Sequence, residues 1–177
     1  MICYNLPSFI LFTFYRCSEK KHKLLHELVE AYIDLMEVKL HEEYIKNLFN
    51  ECNVGKLLGI EVYDLKEGHA KGKLTILKEH INVFGTVHGG ILFTFADHIG
   101  GACGNTLGKK SLLVESSIQF MKGVTEGETV FAEAKLTYKG KKIGRIDTKI
   151  YRENKEIVAV MHMVFYIRSD DHRTKTS

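Results

Sequence analysis

His88-Gly89-Gly90-Ile91-Leu92-Phe93-Thr94-Phe95-Ala96-Asp97-His98-Ile99-Gly100-Gly101-Ala102-Cys103-Gly104-Asn105 is a run in which almost every position is apolar or glycine. It is too long for one ordinary strand and fits a helix. A helix that is hydrophobic all round is buried rather than laid on a surface. Gly100, Gly101 and Gly104 each cost it about 1 kcal/mol relative to Ala, so close packing against a sheet is the expected compensation. Asp97 and His98 interrupt the apolar run. An unpaired carboxylate is expensive to bury, so Asp97 must meet a partner, water or a ligand. A capping or dimer-contact role is the plainer account of that aspartate.

On either side of this helix the pattern changes to period two. Gly59 to Lys66 and Ala70 to Leu77 alternate around the Glu67-Gly68 turn. A loop from Glu79 to Thr86 leads into the helix. Beyond it, Leu112, Val114, Ser116, Ile118 and Phe120 are expected on one face of a strand. Val130 to Tyr138, Ile143 to Tyr151 and Ile157 to Ile167 follow, separated by Lys139-Gly140-Lys141-Lys142 and Glu153-Asn154-Lys155. Such short turns imply antiparallel neighbours. The last stretch is apolar on both faces and is expected in the sheet middle or covered on both sides. The fold class that results is α+β, an antiparallel sheet curled around a long central helix.

The 177 residues are about one domain's length, 45% hydrophobic and 27% charged. The formal net charge of +3 is too balanced to argue for nucleic acid. Cys3, Cys17, Cys52 and Cys103 form no CxxC pair and no metal-ligand spacing. Unpaired, scattered thiols fit a reducing cytoplasm. The apolar run Ser8 to Tyr15 lacks preceding basic residues and a cleavage site, and is too short to span a bilayer, so no membrane role is expected. Residues 24–49 read as helical. Residues 1–35 read as an appendage, upstream sequence from an early start codon being one account and a helical extension packed on the domain the other. Residues 36–170 form the expected domain, with 171–177 as a polar tail.

His88-Gly89-Gly90 falls at the expected helix start, where free N–H groups can hold an anion or oxyanion and glycine admits a close substrate. The stretch Asn82-Val83-Phe84-Gly85-Thr86-Val87-His88-Gly89-Gly90 through Asp97 resembles the signature of hotdog-fold acyl-CoA thioesterases of the phenylacetate-pathway type. Ser117-Ile118-Gln119-Phe120-Met121 and Tyr138-Lys139-Gly140-Lys141-Lys142 resemble further segments of that family. The resemblance covers about Leu57 to Arg168. It implies that Asp97 is the catalytic carboxylate, attacking the thioester carbonyl or activating water. It further implies that the Gly89 N–H polarises the carbonyl oxygen, that Asn82 orients water or substrate, and that His88 supports the site. Gly90 would border the substrate, and Lys141, Lys142 and Arg145 would lie near the coenzyme A phosphates. On charge alone, those three are a solvated hairpin. The family often carries Thr or Ser opposite the aspartate, where this chain has Leu113.

Gly89 and Asp97 are eight residues apart on one helix, about 12 Å. One thioester carbonyl cannot touch both, since reacting groups sit within about 3–3.5 Å. Either one of them is not catalytic, or each site borrows from two subunits, as the family does. A homodimer is therefore expected, and a tetramer as a dimer of dimers is open. No metal is expected from His80, His88 and His98, and no cofactor beyond the coenzyme A of the substrate. Gly104 to Ser111 is not a P-loop, its glycine spacing being one short. His162 reads as a satisfied core or interface histidine and Cys103 as core packing. Two alternatives stand beside hydrolysis. One is a non-catalytic acyl-CoA-binding hotdog module. The other is a hydratase or dehydratase, which His88 leaves open and the Asn82-to-Asp97 spacing disfavours.

Overall fold

The computed structural model describes residues 19–171. The run Ser8 to Tyr15, Cys3, Cys17 and residues 172–177 lie outside the described residues. The chain divides into two compact units between residues 40 and 41. Helix α1 (Glu19–Asn50) runs through residue 36 without interruption. The second unit holds the last turns of α1, helix α2 (Asn53–Leu58), strands β1 (Glu61–Lys66) and β2 (His69–Thr75), a 3-10 turn (Lys78–His80) and helix α3 (Gly89–Asn105). Strands β3 (Lys109–Phe120), β4 (Thr129–Lys139), β5 (Ile143–Arg152) and β6 (Ile157–Asp171) complete it.

The six strands form one sheet in the order β1-β2-β4-β5-β6-β3, antiparallel throughout. Helix α3 touches every strand, as a sheet closing around a central helix requires. Leu92, Phe95, Ala96, Ile99, Ala102 and Cys103 pack into Val62, Leu74, Ala132, Ile146, Ile150, Met161 and Met163. Burying each of the larger side chains contributes about 1.5–3 kcal/mol. Two glycines set the distance between layers. A Cβ on Gly72 would lie 2.3 Å from Ile99 Cδ1 and 2.8 Å from Glu61 O, and one on Gly100 would lie 2.3 Å from Met163 Sδ. Gly101 instead faces Phe49 of α1, 3.2 Å from Cε1.

Three expectations need correcting. The face assigned to β3 breaks at a bulge between Leu113 and Glu115. Ahead of it Leu112 is exposed and Leu113 pairs with buried Phe165, while beyond it Ser116, Ile118 and Phe120 pair with Met163, Met161 and Ala159. An extra residue in one strand shifts the alternation by one, so Leu112 and Ser116 do not share a face. Strand β6 lies beside the edge strand rather than mid-sheet. Its inner side is buried and its outer side bears exposed His162 and Tyr166. His162 is satisfied but not buried, its Nδ1 lying 2.8 Å from Asp147 Oδ1 on β5.

Candidate active site

The site begins in the loop before α3. His80 accepts the Leu77 N–H on Nδ1 and the His88 N–H on its carbonyl, which draws the loop's two ends together. Asn82 fills the interior. Its Oδ1 accepts from the N–H groups of Phe84 (2.8 Å) and Thr86 (3.3 Å), and its Nδ2 donates to Thr86 Oγ1 and the Val87 carbonyl. Gly85 completes the turn at φ +79°, a conformation suited to glycine. Asn82 therefore holds its own loop, and the loop delivers His88 and Gly89. The hydrogen bonds of this amide all fall within the loop.

His88 caps α3 by accepting the Gly90 N–H on Nδ1 at 2.9 Å. An accepting Nδ1 carries no proton, so the neutral ring holds its proton on Nε2. The Ile91 N–H goes to the His88 carbonyl. The Gly89 N–H, the first of the helix, has no intrahelical acceptor by its position. Phe120 Cζ lies 3.2 Å from where a Gly89 Cβ would stand, so the aromatic ring and the bare glycine make one contact.

Helix α3 is not enclosed on all sides. Gly90, Thr94, Asp97 and Gly101 follow one another at helical spacing along a stripe that stays partly open. Asp97 is half-buried there, and burial alone, with no hydrogen bond or charge opposing it, raises its carboxyl above the ordinary 3.8. The neighbouring His98 turns toward Phe49 of α1. It is buried, donates from Nε2 to the Phe49 carbonyl at 3.1 Å, and is held below its ordinary range by burial. His98 thus fastens α1 to α3, a role its position beside Asp97 did not reveal. Burial pushes the Cys103 thiol up to about 12. No group of three or more potential metal ligands occurs among the described residues.

Lys141 and Lys142 are exposed on the β4–β5 hairpin, with Arg145 two strand positions beyond Ile143. Arg145, Thr137, Asp147, His162 and Ser117 line a cavity of about 420 Å³ on the outer face of the sheet. Thus Asn82, His88, Gly89 and Gly90 gather at the start of α3, and Asp97 lies two turns along. The hairpin is near the other end of the helix, where Gly104 meets Ile146.

This arrangement of sheet, helix and loop has relatives. The sequence pattern of the thioesterase superfamily matches residues 84–159. An esterase candidate of Archaeoglobus fulgidus is 32% identical over 124 residues, 70% of this chain and 80% of its own. The chain belongs to the hotdog-fold thioesterase family. The acyl-coenzyme A thioesterase PaaI of Escherichia coli places it in the phenylacetate-pathway type, at 30% identity over 59% of this chain and 75% of the other. The structure of E. coli PaaI superposes with a TM-score of 0.70, covering 74% of this chain and 96% of that one at 24% identity. As a hotdog thioesterase the protein is a thioester hydrolase.

Proposed function

We propose that the protein hydrolyses acyl-CoA thioesters to free acid and coenzyme A at two sites shared across a homodimer, with Asp97 as general base. The observation that carries this reading is that the Gly89 N–H and the Asp97 carboxylate, neither partnered among the described residues, lie two turns apart on one helix. A carboxylate raised by burial is a better match to proton abstraction from water than an ordinary surface aspartate. A backbone N–H at a helix start stabilises the oxyanion of the tetrahedral intermediate. The carbonyl meets Gly89 from one subunit and Asp97 of the partner subunit. Asn82 then acts as a positioning residue, holding the loop that presents Gly89, and His88 caps the same turn. Gly90 borders the substrate on the open stripe, while Lys141, Lys142 and Arg145 meet the nucleotide phosphates.

The long edge strand β3 supports a dimer. Among the described residues no strand pairs with its outer side, and Leu112, Val114 and Phe120 are exposed along it. Such an edge is a template for another strand, and pairing it with its own copy is isologous. A second pairing of dimers into a tetramer is compatible with this edge. The unpaired thiols of Cys52 and Cys103 favour the cytoplasm, and no helix among the described residues is long and apolar enough to cross a membrane.

Thiol release from short, medium, long and aryl acyl-CoAs separates hydrolysis from mere binding. The shared site is tested by co-expressing Asp97→Ala with Asn82→Ala. Each homodimer is expected to be nearly inactive, whereas random mixing gives about half heterodimers with one intact site, restoring roughly a quarter of wild-type activity. A verified heterodimer as inactive as its parents places both residues in one chain's site and overturns the reading.

A further inference from the structure

Resting on the shared site, we infer that the loop tip Val83-Phe84 of each subunit docks into an apolar groove on its partner, locking the Gly89 N–H in place. Val83 and Phe84 are 92% and 87% exposed, although the loop beneath them is held by the hydrogen bonds of Asn82. Two large apolar side chains on a rigid tip lose little conformational freedom on docking.

The partner's groove follows from symmetry. In a two-fold pair, Gly89 meets Asp97 of the partner subunit and the reverse contact holds as well. Parallel helices cannot satisfy both, because meeting one separates the other by sixteen residues' rise, about 24 Å. The two α3 helices must therefore run antiparallel. The chain ahead of Gly89 then continues past Asp97 of the partner subunit, toward the C-terminal half of that helix.

A groove of about 580 Å³ lies there, lined by Leu48, Phe49, Asn105, Ser111 and Leu112, and bordered by Cys52 with the polar Glu51, Asn53 and Lys110. Its accessible surface is mainly apolar. Its floor is fixed, because the Asn105 side chain bonds both the Gly101 carbonyl and the backbone of Ser111. Asn105 lies about 12 Å along α3 from Asp97, and Phe84, five residues ahead of Gly89, stands at the exposed tip of the hydrogen-bonded loop.

Interface area favours the same occupant. A stable pair covers about 800 Å² per partner, more than a single strand edge supplies. One buried Phe contributes about 150–250 Å², and each loop also covers the walls of its groove. Leu112 belongs to both the groove and the β3 edge, so the two contacts are continuous.

The test is a cross-link that uses the native Cys52. Full-length protein carrying Cys3→Ser, Cys17→Ser and Val83→Cys, with Phe84 retained, is treated with a short bismaleimide. A covalent dimer is expected, and it should vanish when Cys52→Ser is added. In protein with Phe84 intact, Cys52 should react with maleimide at least tenfold more slowly than in the Phe84→Asp variant. That variant should also weaken the dimer about a thousandfold in sedimentation, for two lost aromatic contacts. A dimer that hydrolyses acyl-CoA and passes the mixed-subunit test, yet forms no Cys52-dependent cross-link, overturns the docking alone. Protection of Cys52 by S-octyl-CoA in the Phe84→Asp variant assigns the groove to the acyl chain and also overturns it. A monomeric active enzyme overturns the shared site as well.

Discussion

Burying the Asp97 carboxyl costs the fold something. Its carboxyl is raised by burial, so the folded chain binds that proton more tightly than the unfolded chain does. The stability carried by the neutral form is present at low pH and lost as pH rises through the raised value. At neutral pH the ionised group therefore opposes folding. Asp97→Asn is expected to lower kcat by a factor on the order of 10²–10⁴ while stabilising the protein by about 1 kcal/mol. Rate assays and urea melts of the same preparation check both halves. In the wild type, the acid limb of the kcat/KM profile should lie above the ordinary aspartate value. Single turnover in oxygen-18 water should leave no label on the Asp97 peptide if the residue is a base rather than a nucleophile. Asp97 and Gly89 were legible in the sequence because a polar break in an apolar helix and a glycine pair at its start are local signals. The loop-holding bonds of Asn82 and the outward turn of His98 toward Phe49 were not, since both depend on where a distant or neighbouring backbone carbonyl ends up.

At the scale of elements, Arg152 joins the far end of the sheet. Its guanidinium donates to Glu128 at 2.7 Å, to Glu156 at 2.5 Å and to the Gly123 carbonyl at 2.6 Å, tying the β3–β4 loop to the β5–β6 hairpin. The Arg152 hydrogen bond holds the Glu128 carboxyl down to about 2 from the ordinary 4.5. A depressed carboxylate contributes stability above its unfolded value that is lost as pH falls toward the folded one. Arg152→Met should cost about 1–2 kcal/mol near neutrality. The difference from wild type should narrow between pH 4.5 and about 2, leaving what the Gly123 carbonyl bond contributes, which urea midpoints measured across that range will show. Strand positions were readable because β-branched alternation and Glu-Gly or Lys-Gly turns punctuate this half of the chain. The bulge at Leu113–Glu115 was not, because one added residue leaves both flanking alternations intact and only reverses the second. The single turn of helix Asn53–Leu58 was too short to show a period.

For the molecule as a whole, the buried core and every residue proposed for the site lie in the unit that begins at His41. Protein starting at Met36 is accordingly expected to fold and keep its specific activity, measured by circular dichroism and thiol release. Loss of folding would assign residues 20–35 to the core. Changing Lys141 and Lys142 together to Ala should raise KM for acyl-CoA roughly fivefold, with added salt mimicking the change. It should leave acyl-pantetheine, which lacks the nucleotide, unaffected. An equal loss on both substrates would place the nucleotide elsewhere.

The opposite edge of the sheet has its own consequence. Strand β1 is six residues long, loses register between Val62 and Asp64, and carries Glu61, Asp64 and Lys66. Brevity, an irregular ladder and charge are what keep a strand edge from recruiting further chains. If two β3 edges pair as proposed, the joined sheet presents its two β1 margins, and growth stops there. On that pairing a sticky edge can serve assembly without endless polymerisation, because the chain terminator is built into the other side.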